Sequence, residues 1–317
     1  MSRFSAIDLD QLPAPDVIEA LNYETILRGM KETFLRHAPD YHEVLDLESE
    51  PLVKLLQSVA YEVLHHRQRV NDAAYAVLLA HSRGSDLDHL GSLFSVHRQQ
   101  VSAGNLNINP PVLPTYEDNA RLRDRIQMSP EGYSTAGPIG AYIFHALSAD
   151  PRVKDVCVYM PQPGVVVVAV LGTEGDGQPS VELVDIVRRA LSHEDVAPLT
   201  DQISVRGADV IPFEVVARLN VLDGPETEMI RDAAARAVRN YVLQRHGLEE
   251  SRDTIARSMR EQADDVARVA IARSALYAAL HQPGVRQVEL ATPASDVMAL
   301  PYEAPYCTDI RVTVGDQ

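Results

Sequence analysis

Tryptophan is absent from this chain, and aromatic residues are scarce. Of its 317 residues, 5% are Phe, Trp or Tyr and only two are cysteine. A chain with so few rings favours closely packed helices and flat strand faces over a deep aromatic pocket. Cys157 and Cys307 lie in alternating apolar segments and form no Cys-x-x-Cys pair, which excludes a redox motif and a cysteine-rich zinc site. We expect both to be buried free thiols.

Basic residues are also in short supply relative to acidic ones. The chain has 29 Lys and Arg against 45 Asp and Glu, which gives a formal net charge of −16. A surface this negative repels phosphate backbones and anionic lipids, so we expect neither nucleic acid nor a membrane as a partner. The N-terminus lacks the apolar core of a signal peptide, and no run approaches the ~18 apolar residues of a membrane span. We therefore predict assembly in the cytoplasm of the cell that makes the protein.

Groupings typical of catalysis are missing as well. His65 and His66 are adjacent, so on a helix they point about 100° apart and cannot share one metal ion. The glycine-rich stretch Gly172–Gly177 lacks the order of a phosphate-binding loop, and its acidic residues would repel phosphate. No Gly-x-Ser-x-Gly elbow occurs. We predict no catalytic, metal or cofactor-binding residues, with a metal-dependent hydrolase on the C-terminal half as the alternative.

A long amphipathic helix is the strongest positive signal. No helix breaker separates Leu52 from His81, which predicts one helix of about thirty residues. Its apolar and small residues recur at alternating spacings of four and three, as in a heptad repeat. These positions are Leu52, Leu56, Val59, Val63, His66, Val70, Ala73 and Val77. We predict that this seam contacts a partner helix. The alternative is packing against a first helix of the same chain, expected to run from Pro13 to Pro39.

The rest of the sequence predicts strands and helices that repeat. A helix, a proline-containing turn and an alternating strand occur at 141–159 and again at 274–290. We predict that the strand at 153–159 forms a hairpin with 165–171, and that 285–290 forms one with 308–314. The predicted fold class is therefore α+β: an N-terminal long-helix hairpin or bundle, followed by two small repeated α+β modules with mostly antiparallel strands.

Composition divides the chain into four segments. Residues 1–100 form a helical domain, and residues 101–133 form an Asn/Gly/Pro-rich linker with a short helix. The first α+β module is predicted at 134–210 and the second at 211–317. Residues 249–269 are rich in Arg and Asp, and we interpret them as a charged insertion in the second module.

Several segments resemble the J-like baseplate assembly proteins of contractile-tailed phages and phage-like particles. They run in order over nearly the whole chain: Phe4–Asp16, Leu47–Leu56, Ser85–Leu90, Ser134–Tyr142, Ala149–Val156, Pro198–Gln202 and Arg273–Leu280. The stretch 249–269 departs from the family pattern, which puts the local fold there in doubt but not the resemblance.

The resemblance implies a structural baseplate wedge subunit in the virion tail, and no enzyme. Two copies in each wedge would pair through their N-terminal helices with one I-like partner wedge protein. The C-terminal modules of neighbouring wedges would form a ring around the central hub and spike, with a sheath-initiator or lysozyme-like wedge component as a further partner. Rearrangement of that ring would trigger sheath contraction. The family implies no cofactor. The alternative to a structural subunit is a tail-associated metal-dependent hydrolase.

Overall fold

The computed structural model describes residues 9–13, 15–134, 137–198, 200–221, 227–248 and 268–315. These residues divide into two compact units. The first, which we call the helical unit, holds the described residues up to Arg98 together with Asp118–Ile126. The second, the α+β unit, holds Gln99–Glu117 and the described residues from Gln127 onward.

The helical unit contains one long helix and several shorter ones. Its elements are α1 (Tyr23–His37), α2 (His42–Leu45), α3 (Pro51–Ala76), α4 (Gly84–Ser92) and α5 (Asn119–Gly132), of which the residues up to Ile126 belong to this unit. Short 3-10 turns lie at Leu9–Gln11 and Pro39–Tyr41. Helices α1 and α3 pack together, and fully buried Leu87, Leu122 and Ile126 form a second contact region around α4 and α5.

The first helix begins later than the sequence predicts. It starts at Tyr23 rather than near Pro13, and the Asn22 side chain caps it by accepting a hydrogen bond from the Thr25 N–H at 3.0 Å. The preceding chain is held against α3 instead. The buried Asn71 side chain accepts the Glu19 N–H at 3.1 Å and donates to the Glu19 carbonyl oxygen at 2.9 Å. These bonds replace the ones that a longer helix would have made.

The long helix is confirmed, but it ends five residues before the predicted His81. Helix α3 covers Pro51–Ala76, which is 26 residues. Beyond it the chain turns, and the rings of Tyr75 and His81 pack edge to face with centroids 4.7 Å apart. Arg123 donates to the carbonyl oxygens of Leu79 at 2.7 Å and Ser82 at 2.9 Å. A side chain from α5 therefore holds the turn that follows α3.

The first α+β module is a three-stranded sheet covered by two helices. Its elements are α6 (Ile139–Ala149), β3 (Val153–Gln162), β4 (Val165–Gly172), α7 (Val181–Leu191) and β5 (Gln202–Gly207), preceded in the same unit by the antiparallel pair β1 (Gln100–Ser102) and β2 (Thr115–Tyr116). Strands β3 and β4 form the predicted hairpin, and β5 joins β4 in parallel. The core packs Tyr142 and Ala146 of α6 and Val187 of α7 against the valines of β3 and β4.

The second module also has two helices, but its described residues form five strands where the first module has three. It contains β6 (Asp209–Val221), α8 (Thr227–Arg245), β7 (Arg268–Ile271), α9 (Arg273–Leu280), β8 (Val285–Thr292), β9 (Val297–Ala299) and β10 (Glu303–Val314). The main sheet has the order β10-β6-β8, with β6 antiparallel to β8 and parallel to β10. Strands β7 and β9 form a small antiparallel pair.

The predicted hairpin between the last two long strands is wrong. Strands β8 and β10 do not pair with each other, because β6 lies between them. Strand β6 has 13 residues and turns Val215, Ala217 and Leu219 into the core, so it has the length and the buried face of a central strand.

The α+β fold class is confirmed, and four of the six strand pairings found within the described ranges are antiparallel. Cys157 is buried as predicted and Cys307 is only half-buried; both are free thiols. The predicted charged insertion lies outside the described residues except for Arg268 and Val269, which belong to β7. The four-segment division of the chain stays a prediction.

Candidate interaction surface

Helix α3 has one face that the chain itself covers. Its buried residues are Val53, Ala60 and Asn71. Successive helical residues turn by about 100°, which brings these three positions to within about 20° of each other. They face the α1 side of the helical unit, where the Tyr23 hydroxyl donates to the Gln57 carbonyl oxygen at 3.4 Å. This face explains why α3 is stable as a helix, but it is not the predicted seam.

The eight predicted seam residues lie beside the covered face. Leu52, Leu56 and Val63 are half-buried. The other five are exposed, and we call them the α3 stripe: Val59, His66, Val70, Ala73 and Val77. The side chains of three of them are large and apolar and have exposed fractions of 40% (Val59), 58% (Val70) and 68% (Val77). The structure therefore places the seam on one side of α3 and leaves its outer half without cover from the described residues.

A groove runs along the inner half of the seam, between α1 and α3. It has a volume of about 620 Å³. Ile26, Met30 and Phe34 of α1 line one wall, and Leu56 and Val63 of α3 line the other. At its rim Arg67 makes an ion pair with Glu19 at 3.2 Å, with both side chains more than half exposed. The groove and the α3 stripe together form a continuous apolar strip along α3.

Leu55 belongs to this strip, although the heptad pattern did not predict it. It is 60% exposed and lies four residues before Val59, so it extends the α3 stripe by one turn toward the N-terminus. The heptad assignment placed Leu52 and Leu56 in the seam and left Leu55 out. The i, i+4 spacing from Leu55 to Val59 was the signal that could have found it.

Helix α3 carries two adjacent histidines, which lie in different surroundings. The His65 ring packs edge-on against Tyr61 with centroids 4.4 Å apart, and His66 is exposed on the α3 stripe. Among the residues described, there is no cluster of three or more His, Cys, Asp or Glu side chains placed to hold a metal ion. Within the same ranges, no helix is long and apolar enough to cross a membrane.

Two of the segments that carry the family resemblance meet in the first module. The Tyr142 hydroxyl of α6 donates to the Asp201 carboxylate at 2.7 Å. Burial raises the pKa of Tyr142, and the hydrogen bond and the negative charge of Asp201 raise it further. A Cβ added to Gly137, whose φ is +71°, would lie 2.7 Å from Pro198 and 3.0 Å from Asp201. These groups fix the turn before β5 against α6, which is a structural role.

Comparison with known proteins gives consistent matches. The model of the baseplate J-like N-terminal domain matches residues 48–105, which include α3 and the α3 stripe. The model of the baseplate J-like central domain matches residues 134–207, which correspond to the first α+β module. Baseplate protein J of Escherichia phage P2 is 41% identical over 314 residues, which cover 98% of each chain.

Proposed function

Because the chain belongs to the baseplate J-like family, we propose that it is a structural wedge subunit of a contractile-tail baseplate. Its place is the baseplate of the virion tail, and it acts by assembly rather than by catalysis. The α3 stripe is the observation that carries this proposal. A contiguous exposed apolar surface is typical of a site where another protein binds.

The two apolar features of α3 suit two partner helices. The groove between α1 and α3 accepts side chains of one helix, and the α3 stripe next to it accepts those of another. Covering the three exposed valines would contribute on the order of 1 kcal/mol each. Two neighbouring acceptor surfaces agree with a wedge in which two copies of this chain and one I-like partner wedge protein pair through their N-terminal helices.

The two α+β modules supply the remaining roles that family membership implies. We propose that those of neighbouring wedges form a ring around the central hub and spike, with a sheath-initiator or lysozyme-like wedge component alongside. Rearrangement of the ring then couples contact with the host to sheath contraction. The domain boundaries that go with these roles are a wedge-core domain at 1–100, a linker at 101–133, and modules at 134–210 and 211–317. Assembly takes place in the host cytoplasm.

Co-purification tests the proposed partnership. The tagged chain is co-expressed with the other baseplate proteins of the same particle, and the retained proteins are identified by mass spectrometry. The wild-type chain should retain the I-like wedge protein together with an untagged second copy. The double variant Val59→Asp and Val70→Asp should lose both, because it places carboxylates where apolar side chains meet. Retention of both proteins by this variant would mean that the α3 stripe is not the wedge contact.

A further inference from the structure

The two modules of the α+β unit meet at the short segment that follows α8. Leu248, which is 5% exposed, packs there with Cys157 and Leu171 of the first module and with Ala304 of the second. The Leu248 N–H also donates to the Asp155 carboxylate of β3 at 2.8 Å. Residues 246–248, which we call the clasp, therefore join the end of α8 to the first module through one apolar and one polar contact.

His246 makes further polar contacts of the clasp, beside the bond that the Arg268 guanidinium of β7 donates to the Gly247 carbonyl oxygen at 3.0 Å. The Lys154 Nζ of β3 lies 2.9 Å from its Nδ1. Its Nε2 lies 3.1 Å from the carbonyl oxygen of Asp176, in the turn after β4. The ring also packs at 5.4 Å from that of Tyr306 in β10. One half-buried imidazole thus contacts two elements of the first module and one of the second.

These contacts are compatible with only one charge state of the ring while Lys154 is protonated. An ammonium group can only donate a hydrogen bond, and a carbonyl oxygen can only accept one. The Nδ1 of His246 must then accept from Lys154, and its Nε2 must carry the proton that is donated to Asp176. A doubly protonated imidazole would place an N–H and a positive charge against the Lys154 ammonium group, and the contact would be lost.

We propose that His246 makes the clasp sensitive to pH: the neutral ring holds residues 246–248 on β3 and the turn after β4, and its protonation releases them. The inference concerns the α+β unit alone and goes beyond the proposed function, on which it does not depend. Its readout is the opening of one segment, which is independent of what the assembled particle does.

The surroundings of the ring set the direction of the response. Burial lowers the pKa of His246, and the positive charge of Lys154 lowers it further, while the bond to the Asp176 carbonyl oxygen and the negative charge of the Asp176 carboxylate oppose both. Burial also lowers the pKa of Lys154, against the nearby charge of Asp155. Tyr306 is the ionisable group that faces the ring from β10.

The pKa of His246 is lower in the closed state than in the open state. Protonation of the open state at low pH therefore destabilises the closed state relative to the open one. Above the ordinary value of 6.5, the ring is neutral in both states and the clasp is fully formed. As the pH falls from 6.5 through the lowered pKa of His246, the open state takes up the proton first and the closed state loses stability. The clasp should therefore be closed at neutral pH and open in acid.

Hydrogen exchange on the full chain tests this response. Exchange of the backbone amides of residues 246–248 is followed by mass spectrometry between pH 5 and pH 8 and corrected for the intrinsic pH dependence of exchange. In the wild-type chain, protection should begin to fall below about pH 6.5 and should approach a tenfold loss per pH unit between that value and the lowered pKa. The variant His246→Gln, which cannot take up a proton, should show no pH dependence in this segment.

Two further variants separate the clasp from general acid sensitivity. Lys154→Met removes the cation, so the pKa of His246, measured by NMR of its ring, should rise and the acid loss of protection should become shallower. His193→Gln changes an exposed histidine elsewhere in the first module and should behave as the wild type does. Constant protection of the wild-type clasp down to pH 5 would overturn the proposal. So would the same acid loss in His246→Gln, or, should that variant fail to fold, an unchanged profile in Lys154→Met.

Discussion

The helical unit and the α+β unit differ in how completely they bury their own apolar residues. Only three of the 26 residues of α3 are buried, and one of these is the amide Asn71. In β4, by contrast, six of eight residues are buried, and helices α6 and α7 share one core with the sheet. The modules bury their own cores, whereas α3, the longest helix among the described residues, leaves an apolar side exposed. The difference agrees with the proposal that the helical unit binds a partner along α3, whereas each module of the α+β unit has a core of its own.

Truncation of a core residue in the α+β unit should have the largest effect on stability. Leu219 of β6 is fully buried in the second core. We expect Leu219→Ala to lower the free energy of unfolding by about 2–5 kcal/mol, because it removes buried apolar surface and leaves a cavity. Urea unfolding followed by hydrogen exchange in β6 and in α3 measures the two units separately. Val70→Ala on the α3 stripe is the matched control and should cost less than about 0.5 kcal/mol. Equal costs at the two sites would contradict the comparison.

The buried amide of the helical unit should give an intermediate effect. Asn71→Ala leaves the Glu19 N–H and carbonyl groups without their partner, and we expect a loss of about 1–3 kcal/mol. Faster amide exchange at Glu19 would show that the segment before α1 has come away from α3. The control is Gln68→Ala, whose side chain bonds to Asp72 on the exposed surface at 2.7 Å. Unchanged exchange at Glu19 in Asn71→Ala would show that this amide does not hold the segment.

The exposed ion pair at the rim of the groove should contribute least. Arg67 and Glu19 have side chains that are 53% and 55% exposed, so solvent screens their attraction. We expect Arg67→Ala to change the free energy of unfolding by about 0.5 kcal/mol or less, and the difference should shrink further in high salt. A cost above about 1 kcal/mol that persists in salt would mean that Arg67 stabilises the α1–α3 pair by packing rather than by charge.

The sequence predicted the helices and strands better than it predicted which of them pack or pair with each other. Heptad spacing placed eight residues on one side of α3, because the side-chain direction in a helix follows from position alone. Five of them are exposed and three are half-buried, and their contact with a partner stays a prediction. The end of α3 could not be predicted, because the apolar residues 77–80 that follow Ala76 contain no helix breaker. Two-residue alternation likewise identified β8 and β10 as strands. It defines the face of a strand and not the strand beside it, so the position of β6 between them was missed.

The clasp shows the same limit. Lys154 and His246 are 92 positions apart, and neither lies in a motif that predicts a contact between them. Asp201 and Tyr142 were both within segments that resemble the family, yet only the structure shows that the two segments bond to each other. A contact between residues far apart in the chain becomes visible only in the folded structure, because a local sequence pattern contains no information about the distant residue.

Electron microscopy of particles is the most direct test of the claim that the open side of α3 builds the baseplate. Cells that produce the particle express either the wild-type chain, the stripe variant Val59→Asp with Val70→Asp, or the control Tyr61→Asp. Tyr61 is 54% exposed and lies nine residues before Val70, on the opposite side of α3.

The two α3 stripe residues are exposed, so their variant should keep the folded stability of the isolated chain. We predict assembled tails with the wild type and the control, and folded protein without baseplates in the stripe variant. Intact baseplates in the stripe variant would contradict the account.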